Sequence, residues 1–275
     1  MQSLSVRAAL VSFCLLLVLL GLWEALNQPP KATKALTEFE ILMGGVDQEA
    51  RVPPPSQVAE HAWNELSNPF YDAGPNDKGI GIQLGYSLYR VLAGFLAAAL
   101  IAIPLGFVIG MSPLMHKALN PFIQILRPIS PLAWMPLALF VIKDSELSAI
   151  FVIFICSIWP MLINTAFGVS NVRSDWISVA RTHELGQIKT ALLVILPAAA
   201  PTILTGMRIS IGIAWLVIVA AEMLVGGTGI GYYVWNEWNN LDLNSVIFSI
   251  VMIGAVGMLL DAALGGVEKL VQYKE

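Results

Sequence analysis

Charged residues are scarce in this chain. Asp, Glu, Lys and Arg make up 12% of its 275 residues, hydrophobic residues make up 57%, and the mean hydropathy is +0.73. Soluble proteins contain about 25% charged residues, so the composition argues against one or more soluble domains. The net charge is only −4 and no basic cluster is present, which gives no indication of a nucleic-acid partner. The sequence is that of an integral membrane protein.

The motifs of several catalytic classes are also absent. There is no G-x-x-x-x-G-K-[ST] phosphate loop, no G-x-S-x-G nucleophile elbow, and no His, Cys and carboxylate cluster at metal-ligand spacing. The two cysteines, Cys14 and Cys156, each lie in an apolar run, which favours buried thiols over a disulfide. We therefore expect no catalytic residue, no metal site and no cofactor in this polypeptide.

Six apolar segments are candidate membrane spans: residues 8–23, 84–111, 118–142, 147–169, 201–225 and 245–267. The first could instead be a signal peptide, but no small-x-small cleavage site follows it, which favours a retained helix. In the second, Gly106 and Gly110 are spaced to allow a neighbouring helix to approach closely. Prolines at positions 121, 128, 131 and 136 interrupt the third, so its unpaired carbonyls should face a bundle interior or a pathway instead of lipid.

These spans divide the chain into three parts. We predict an N-terminal transmembrane helix over residues 1–26, a polar outer loop over 27–83, and a membrane core over 84–275. Within the outer loop, Ser56 could cap a short helix over residues 56–67. Turns are expected at 112–117 and 143–146. A second outer loop is expected at 226–240, because its Trp and Tyr residues favour membrane interfaces.

Five charged residues fall within or near the predicted spans. A charge at the membrane centre costs about 2.5–3.5 kcal/mol, so each should face water, a partner charge or the interface. Arg90 and Glu222 lie near outer ends, where snorkelling or pairing accounts for them, and Asp261 near an inner end should meet headgroups or a neighbouring loop. Arg127 and Arg208 could line an anion path, with structural pairing as the alternative. The predicted path residues are Arg127, Trp134, Arg208 and Glu222.

One sizeable polar segment, Ser174 to Pro197, interrupts the apolar second half of the chain. Trp176, Ile177, Val179 and Ala180 recur at helical spacing, which predicts an amphipathic helix over about 174–186. Asp175 lies near its start, where it favourably meets the helix dipole, and Pro197 is expected to stop the helix from continuing. From periodicity alone, an ordinary interfacial loop helix is an equal alternative.

This segment resembles the cytoplasmic coupling loop of ABC-importer permeases, which has the pattern E-A-A, three residues, Gly, a spacer and I-x-L-P. Ser178-Val179-Ala180 align with E-A-A and Val194 to Pro197 with the closing element. Glu184 stands where the family has glycine, and the nearest glycine is displaced to Gly186. The resemblance implies an interface with a separate ATPase subunit at Asp175, Trp176, Ser178, Val179, Ala180, Arg181, Thr182, Glu184 and Gly186.

The chain also resembles type I ABC-importer permeases of the nitrate, bicarbonate, cyanate and sulfonate/taurine group. Two stretches carry this resemblance: L-R-P-I-S-P-L-A-W-M-P-L at 126–137, and residues 204–231. Within that group, A-W-L-V-I-V-A-A-E-M-L followed by G-G-x-G-I-G is most similar to nitrate and bicarbonate permeases. The resemblance implies an all-α membrane bundle that forms a homodimer. It also implies two cytoplasmic ATPase modules that bind ATP and Mg, and an external binding protein or lipoprotein. The expected function is import of nitrate or nitrite, with bicarbonate, cyanate or sulfonate/taurine as alternatives.

Two alternatives from other classes are an ion-coupled carrier or channel and a non-transporting membrane scaffold. A carrier often has two similar halves, and no such repeat is recognisable here. The resemblance implies a bacterial inner membrane, and the charge distribution favours cytoplasmic termini, because this places seven Lys and Arg residues inside against five outside, four of the five in one long loop. The segment 174–197 then also lies in the cytoplasm.

Overall fold

The computed structural model describes residues 2–27 and 52–271. Across these two ranges the chain is helical, with one isolated antiparallel bridge between Asp72 and Lys78 and no strand. The helices are α1 Gln2–Leu26, α2 Pro55–Ser67, α3 Ile80–Met111, α4 Pro113–Leu126, α5 Met135–Ile142, α6 Ser145–Ser170, α7 Ser174–Thr182, α8 Gln187–Thr190, α9 Leu196–Val225, α10 Ile230–Asn239 and α11 Leu243–Val271. A 3-10 turn, Pro131–Trp134, precedes α5, and a π-helical segment, Ala191–Ile195, joins α8 to α9.

Five helical stretches in the described residues are long and apolar enough to cross a membrane: Val6–Leu26, α3, α6, the continuous run Gln187–Val225, and α11. A sixth crossing is formed if α4 and the segment Pro131–Ile142 count together as one span, and these two are bent by 85°. The predicted all-α bundle of about six spans is confirmed. The bend falls at residues 127–130, where Pro128 and Pro131 remove backbone donors and disfavour helix in the residues before them.

The core is a row of three packed helices, with α6 between α3 and α9. Small residues allow the close approach. A Cβ added at Gly106 would lie 2.6 Å from the Cβ of Thr165, and one added at Gly110 would lie 2.7 Å from the Cβ of Val169. The prediction that this glycine pair permits close packing is therefore confirmed, and the partner is α6.

Several predicted boundaries are wrong. Residues 113–117 continue as helix α4, because the Ser112 side chain caps it by accepting a hydrogen bond from the Met115 N–H at 3.3 Å. The expected outer loop at 226–240 contains helix α10. Pro197 does not stop the helix: it lies inside the continuous run Gln187–Val225, directly after the π-helical segment.

The N-terminal helix and the short outer helix α2 are joined by a polar contact. The predicted helix over 56–67 is confirmed, but Ser56 does not cap it. Instead, the backbone N–H and Oγ of Ser56 donate to the Glu24 carboxylate at 3.2 and 3.0 Å. Cys156 is buried as expected, whereas Cys14 is exposed on the surface of α1, which contradicts its predicted burial. The predicted features at residues 28–51 and 272–275 lie outside the described residues.

Candidate functional site

The amphipathic helix predicted at 174–186 is α7, and it ends earlier, at Thr182. Its apolar side chains divide between two environments. Ala180 is 2% exposed and α7 contacts the π-helical segment, whereas Trp176 and Val179 remain 44% and 57% exposed. We refer to Trp176 and Val179 as the α7 patch. The chain therefore covers only part of the predicted apolar face.

The polar residues of α7 are used mainly within the helix. Ser178 Oγ donates to the Ser174 carbonyl at 2.9 Å, and Thr182 Oγ1 donates to the Ser178 carbonyl at 3.0 Å. Arg173 pairs with Asp175 at 3.2 Å beside the first turn, where the acidic side chain also meets the positive end of the helix dipole. Arg181 lies in the last turn and is exposed.

Glu184 explains why α7 ends where it does. Its φ is +54°, in the left-handed region that glycine adopts without penalty and other residues adopt at a cost of roughly 1–2 kcal/mol. This is the position at which the resembling coupling loops have glycine. The displaced Gly186 has φ −62° and does not supply the turn. Glu184 therefore takes the backbone role of the missing glycine.

A buried ion pair joins the first half of α3 to the end of α9. Glu222 is 2% exposed and accepts hydrogen bonds from Arg90 Nη1 at 2.8 Å, Ser87 Oγ at 2.8 Å and the Gly231 N–H at 3.0 Å. Of the two explanations given for Arg90 and Glu222, snorkelling or pairing, the structure shows pairing, and the two residues pair with each other. Gly231 is required here, because a Cβ at this position would overlap the Val219 carbonyl oxygen.

The same network holds the turn before α10. Arg90 Nη1 also donates to the Thr228 carbonyl at 2.6 Å, and the Gly229 N–H donates to Gln83 Oε1 at 2.7 Å. Sequence reasoning missed this arrangement of the glycine-rich turn, whose backbone N–H groups are satisfied by side chains of α3.

A second ion-pair cluster joins α9 to α11. Arg208 binds both carboxylate oxygens of Asp261 at 2.6 Å and lies 3.5 Å from a carboxylate oxygen of Glu268. Thr205 Oγ1 donates to the other Glu268 oxygen at 2.8 Å. Asp261 was expected to meet headgroups or a loop; it instead pairs with an arginine on the neighbouring helix.

Arg127 lies at the bend between α4 and the 3-10 turn, and it lines two cavities. The larger, about 600 Å³, lies between α4 and α6, and the smaller, about 310 Å³, lies between the bend, α6 and α9. Within the described residues Arg127 forms no ion pair, unlike Arg90 and Arg208. Trp134 lies in the 3-10 turn, and its indole N–H is buried without a hydrogen-bond partner among the described residues.

A polar cleft of about 510 Å³ lies between α2, the segment before α3, α10 and the start of α11. Ser245 Oγ donates to Asp242 at 2.6 Å and lies 2.9 Å from His61 Nε2. Burial raises the pKa of Glu65, and the nearby carboxylates of Glu237 and Asp77 raise it further, while His61 lowers it. No residue of this cleft had been singled out from the sequence, since its members lie far apart in the chain.

Residues 102–273 match the protein family described as "Binding-protein-dependent transport system inner membrane component". The chain is 46% identical over 236 residues to a nitrate import permease of Synechocystis sp., covering 86% of this chain and 85% of the relative. It is 42% identical over 228 residues to a bicarbonate transport system permease of the same organism, covering 80% of each. A chain of the inward-facing MetNI methionine ABC transporter superposes with a TM-score of 0.61 at 14% identity, covering 69% of this chain and 94% of that one.

Proposed function

The chain belongs to the binding-protein-dependent transport system inner membrane components, and we propose that the substrate it carries is nitrate. As a permease subunit of an ABC importer, it is a multi-pass membrane protein and not itself an enzyme. The observation that carries the nitrate proposal is 46% identity to a nitrate import permease across most of both chains. Bicarbonate is the second candidate, because a bicarbonate permease is nearly as similar, at 42%.

The α7 patch supports contact with a separate ATPase subunit. An exposed Trp and Val beside polar residues on a short helix offer a small apolar anchor with a polar rim, which suits a protein partner. In this proposal the partner ATPases bind ATP and Mg, and α7 and both termini lie in the cytoplasm. The functional unit contains a second copy of this chain, two ATPase modules and an external binding protein or lipoprotein.

Among the four predicted path residues, Arg127 has the geometry that best suits contact with an anion. Glu222 and Arg208 are both engaged in ion pairs, whereas Arg127 lines both cavities with its guanidinium unpaired among the described residues. A guanidinium presents planar pairs of N–H donors that match a planar oxyanion. We assign Arg127 to the path and assign Arg208 and Glu222 to helix pairing, whereas Trp134 lines neither cavity and packs against the hydrophobic core.

The test is uptake by the complete complex in proteoliposomes, with the cognate ATPase and external binding protein and with labelled nitrate or bicarbonate. We expect ATP-dependent nitrate uptake, which Arg127→Gln reduces at least tenfold and Arg127→Lys reduces less. A matched variant, Arg7→Gln, removes an exposed arginine of α1 that lines neither cavity and should leave uptake unchanged. ATP-dependent uptake of bicarbonate without nitrate would replace the proposed substrate, and normal uptake by Arg127→Gln would remove Arg127 from the path.

A further inference from the structure

We propose that one face of α4 forms the cytoplasmic half of the anion path, as a series of hydrogen-bond donors that ends at Arg127; this inference rests on the proposed function. The residues are His116, Asn120, Gln124 and Arg127, which we call the α4 donor face. Their spacing of four, four and three places them within an arc of about 80° on a helix of 3.6 residues per turn.

The opposite face of α4 is apolar and exposed. Leu114, Phe122 and Ile125 are 71%, 62% and 67% exposed, and His116, Gln124 and Arg127 of the donor face are exposed as well, so the two faces differ in polarity and not in exposure. A row of polar side chains at membrane depth cannot face lipid without a penalty, so the donor face must meet water, a ligand or protein. The two faces therefore fix which side of α4 turns away from the bilayer.

The donor face opens into the larger cavity. All four of its residues line this space of about 600 Å³, and α6 supplies the facing wall with Ile163, Phe167 and Ser170 among others. The second cavity, about 310 Å³, shares Arg127 and Ile163 with the first. The two cavities are thus adjacent at the bend, and together they extend along α4 toward the α6 end from which α7 begins.

The chemistry of this lining suits an anion that only accepts hydrogen bonds. An imidazole, two carboxamides and a guanidinium all carry N–H donors, and no carboxylate lines either cavity. Within residues 2–27 and 52–271, none of the four side chains has a hydrogen-bond or ion-pair partner. Their donors are therefore available to a ligand.

The length and charge of the donor face also fit a route for release. From residue 116 to 127 the helix rises by about 16 Å, roughly half of a 30 Å bilayer core. One fixed positive charge, at Arg127, lies at the C-terminal end of the donor face, and the amides of Gln124 and Asn120 follow toward the helix start. Conduction needs sites that attract the ion but let it leave, and a single charge followed by neutral donors satisfies both needs.

Accessibility tests this placement without relying on transport. In the full complex with Cys14→Ser and Cys156→Ser, we would introduce Asn120→Cys or Gln124→Cys on the donor face, and Phe122→Cys or Ile125→Cys on the opposite face. An anionic, membrane-impermeant methanethiosulfonate applied from the α7 side should modify 120 and 124 at least tenfold faster than 122 and 125. Nitrate should slow the modification at 124. Equal rates of modification on both faces would overturn the proposal.

A second variant pair tests the donor chemistry. Gln124→Glu replaces an amide N–H by a carboxylate oxygen of the same size and should reduce nitrate uptake at least tenfold, whereas Gln124→Asn keeps the donor and should reduce it less. Uptake by Gln124→Glu at the wild-type rate would refute the role. If wild-type complex shows no ATP-dependent nitrate uptake, the proposed substrate fails, and the labelling pattern still decides whether the face lines an aqueous route.

Discussion

The buried pair of Arg90 and Glu222 allows a quantitative prediction. Arg90→Leu removes the only cation that contacts Glu222 among the described residues and leaves the carboxylate 2% exposed between α3, α9 and α10. Breaking one partner of a buried ion pair costs about 3–5 kcal/mol, because the remaining charge stays desolvated. Ser87 and the Gly231 N–H still donate to Glu222, so we expect a value near 3 kcal/mol, the lower end of that range.

The assay is a double-mutant cycle on the permease by reversible unfolding in mixed detergent micelles. The double variant Arg90→Leu with Glu222→Leu should lose less stability than the two single variants together, since no unpaired charge remains. Arg173→Leu is the control. It breaks the pair with Asp175, which has side chains 65% and 72% exposed, and should change stability by about 1 kcal/mol or less. A loss below about 1 kcal/mol for Arg90→Leu, or strict additivity in the cycle, would refute the buried-charge argument.

Three further predictions concern the surfaces outside the membrane. Glu184→Gly should raise the free energy of unfolding by about 1 kcal/mol, because it removes a non-glycine residue from the left-handed region. His183→Gly, at a residue with φ −83°, should give no such gain. Equal effects of the two substitutions would contradict the strain argument. Burial raises the pKa of Glu65 above its ordinary 4.5, so its ionisation removes stability as pH rises past that value. Glu65→Gln should therefore stabilise the protein at pH 7 and make no difference at pH 4, and a loss of stability at pH 7 would contradict this. Trp176→Asp should abolish copurification of the ATPase while the melting temperature stays unchanged, and normal copurification would remove Trp176 from the interface.

Ala180 is an unsuitable test residue for that interface, although it aligns with the last alanine of the E-A-A pattern. Because Ala180 is 2% exposed, Ala180→Asp would place a charge in the packing between α7 and the rest of the chain. Loss of function in that variant would report disrupted packing, whereas Trp176 and Val179 are exposed to a partner.

The sequence predicted the features that depend on local pattern. Long apolar runs predicted the spans, and the polar segment after α6 predicted α7, because hydropathy and helical period act over one or two turns. Glu184 was recognised as a departure from the family pattern. That it would adopt a left-handed conformation could not be read from its identity, since Glu has no preference for that region.

The contacts between helices could not be predicted. Arg208 and Asp261 are 53 residues apart, and no periodic signal connects them. The clustered prolines predict the position of the bend at Arg127. They do not predict its angle of 85°, because the angle depends on how α5 packs against α6. The donor face of α4 did have a signal, the spacing of positions 116, 120, 124 and 127. It went unrecognised because residues 112–117 were expected to form a turn.

In the proposed mechanism, a separate ATPase bound at α7 drives transport through this chain. The direct measurement is nitrate entry into sealed vesicles that contain the permease alone or with its ATPase and external binding protein, with and without ATP. We predict uptake only when both partners and ATP are present, and its loss in Trp176→Asp. Nitrate uptake by the permease alone without ATP would contradict the account and identify a self-contained carrier or channel.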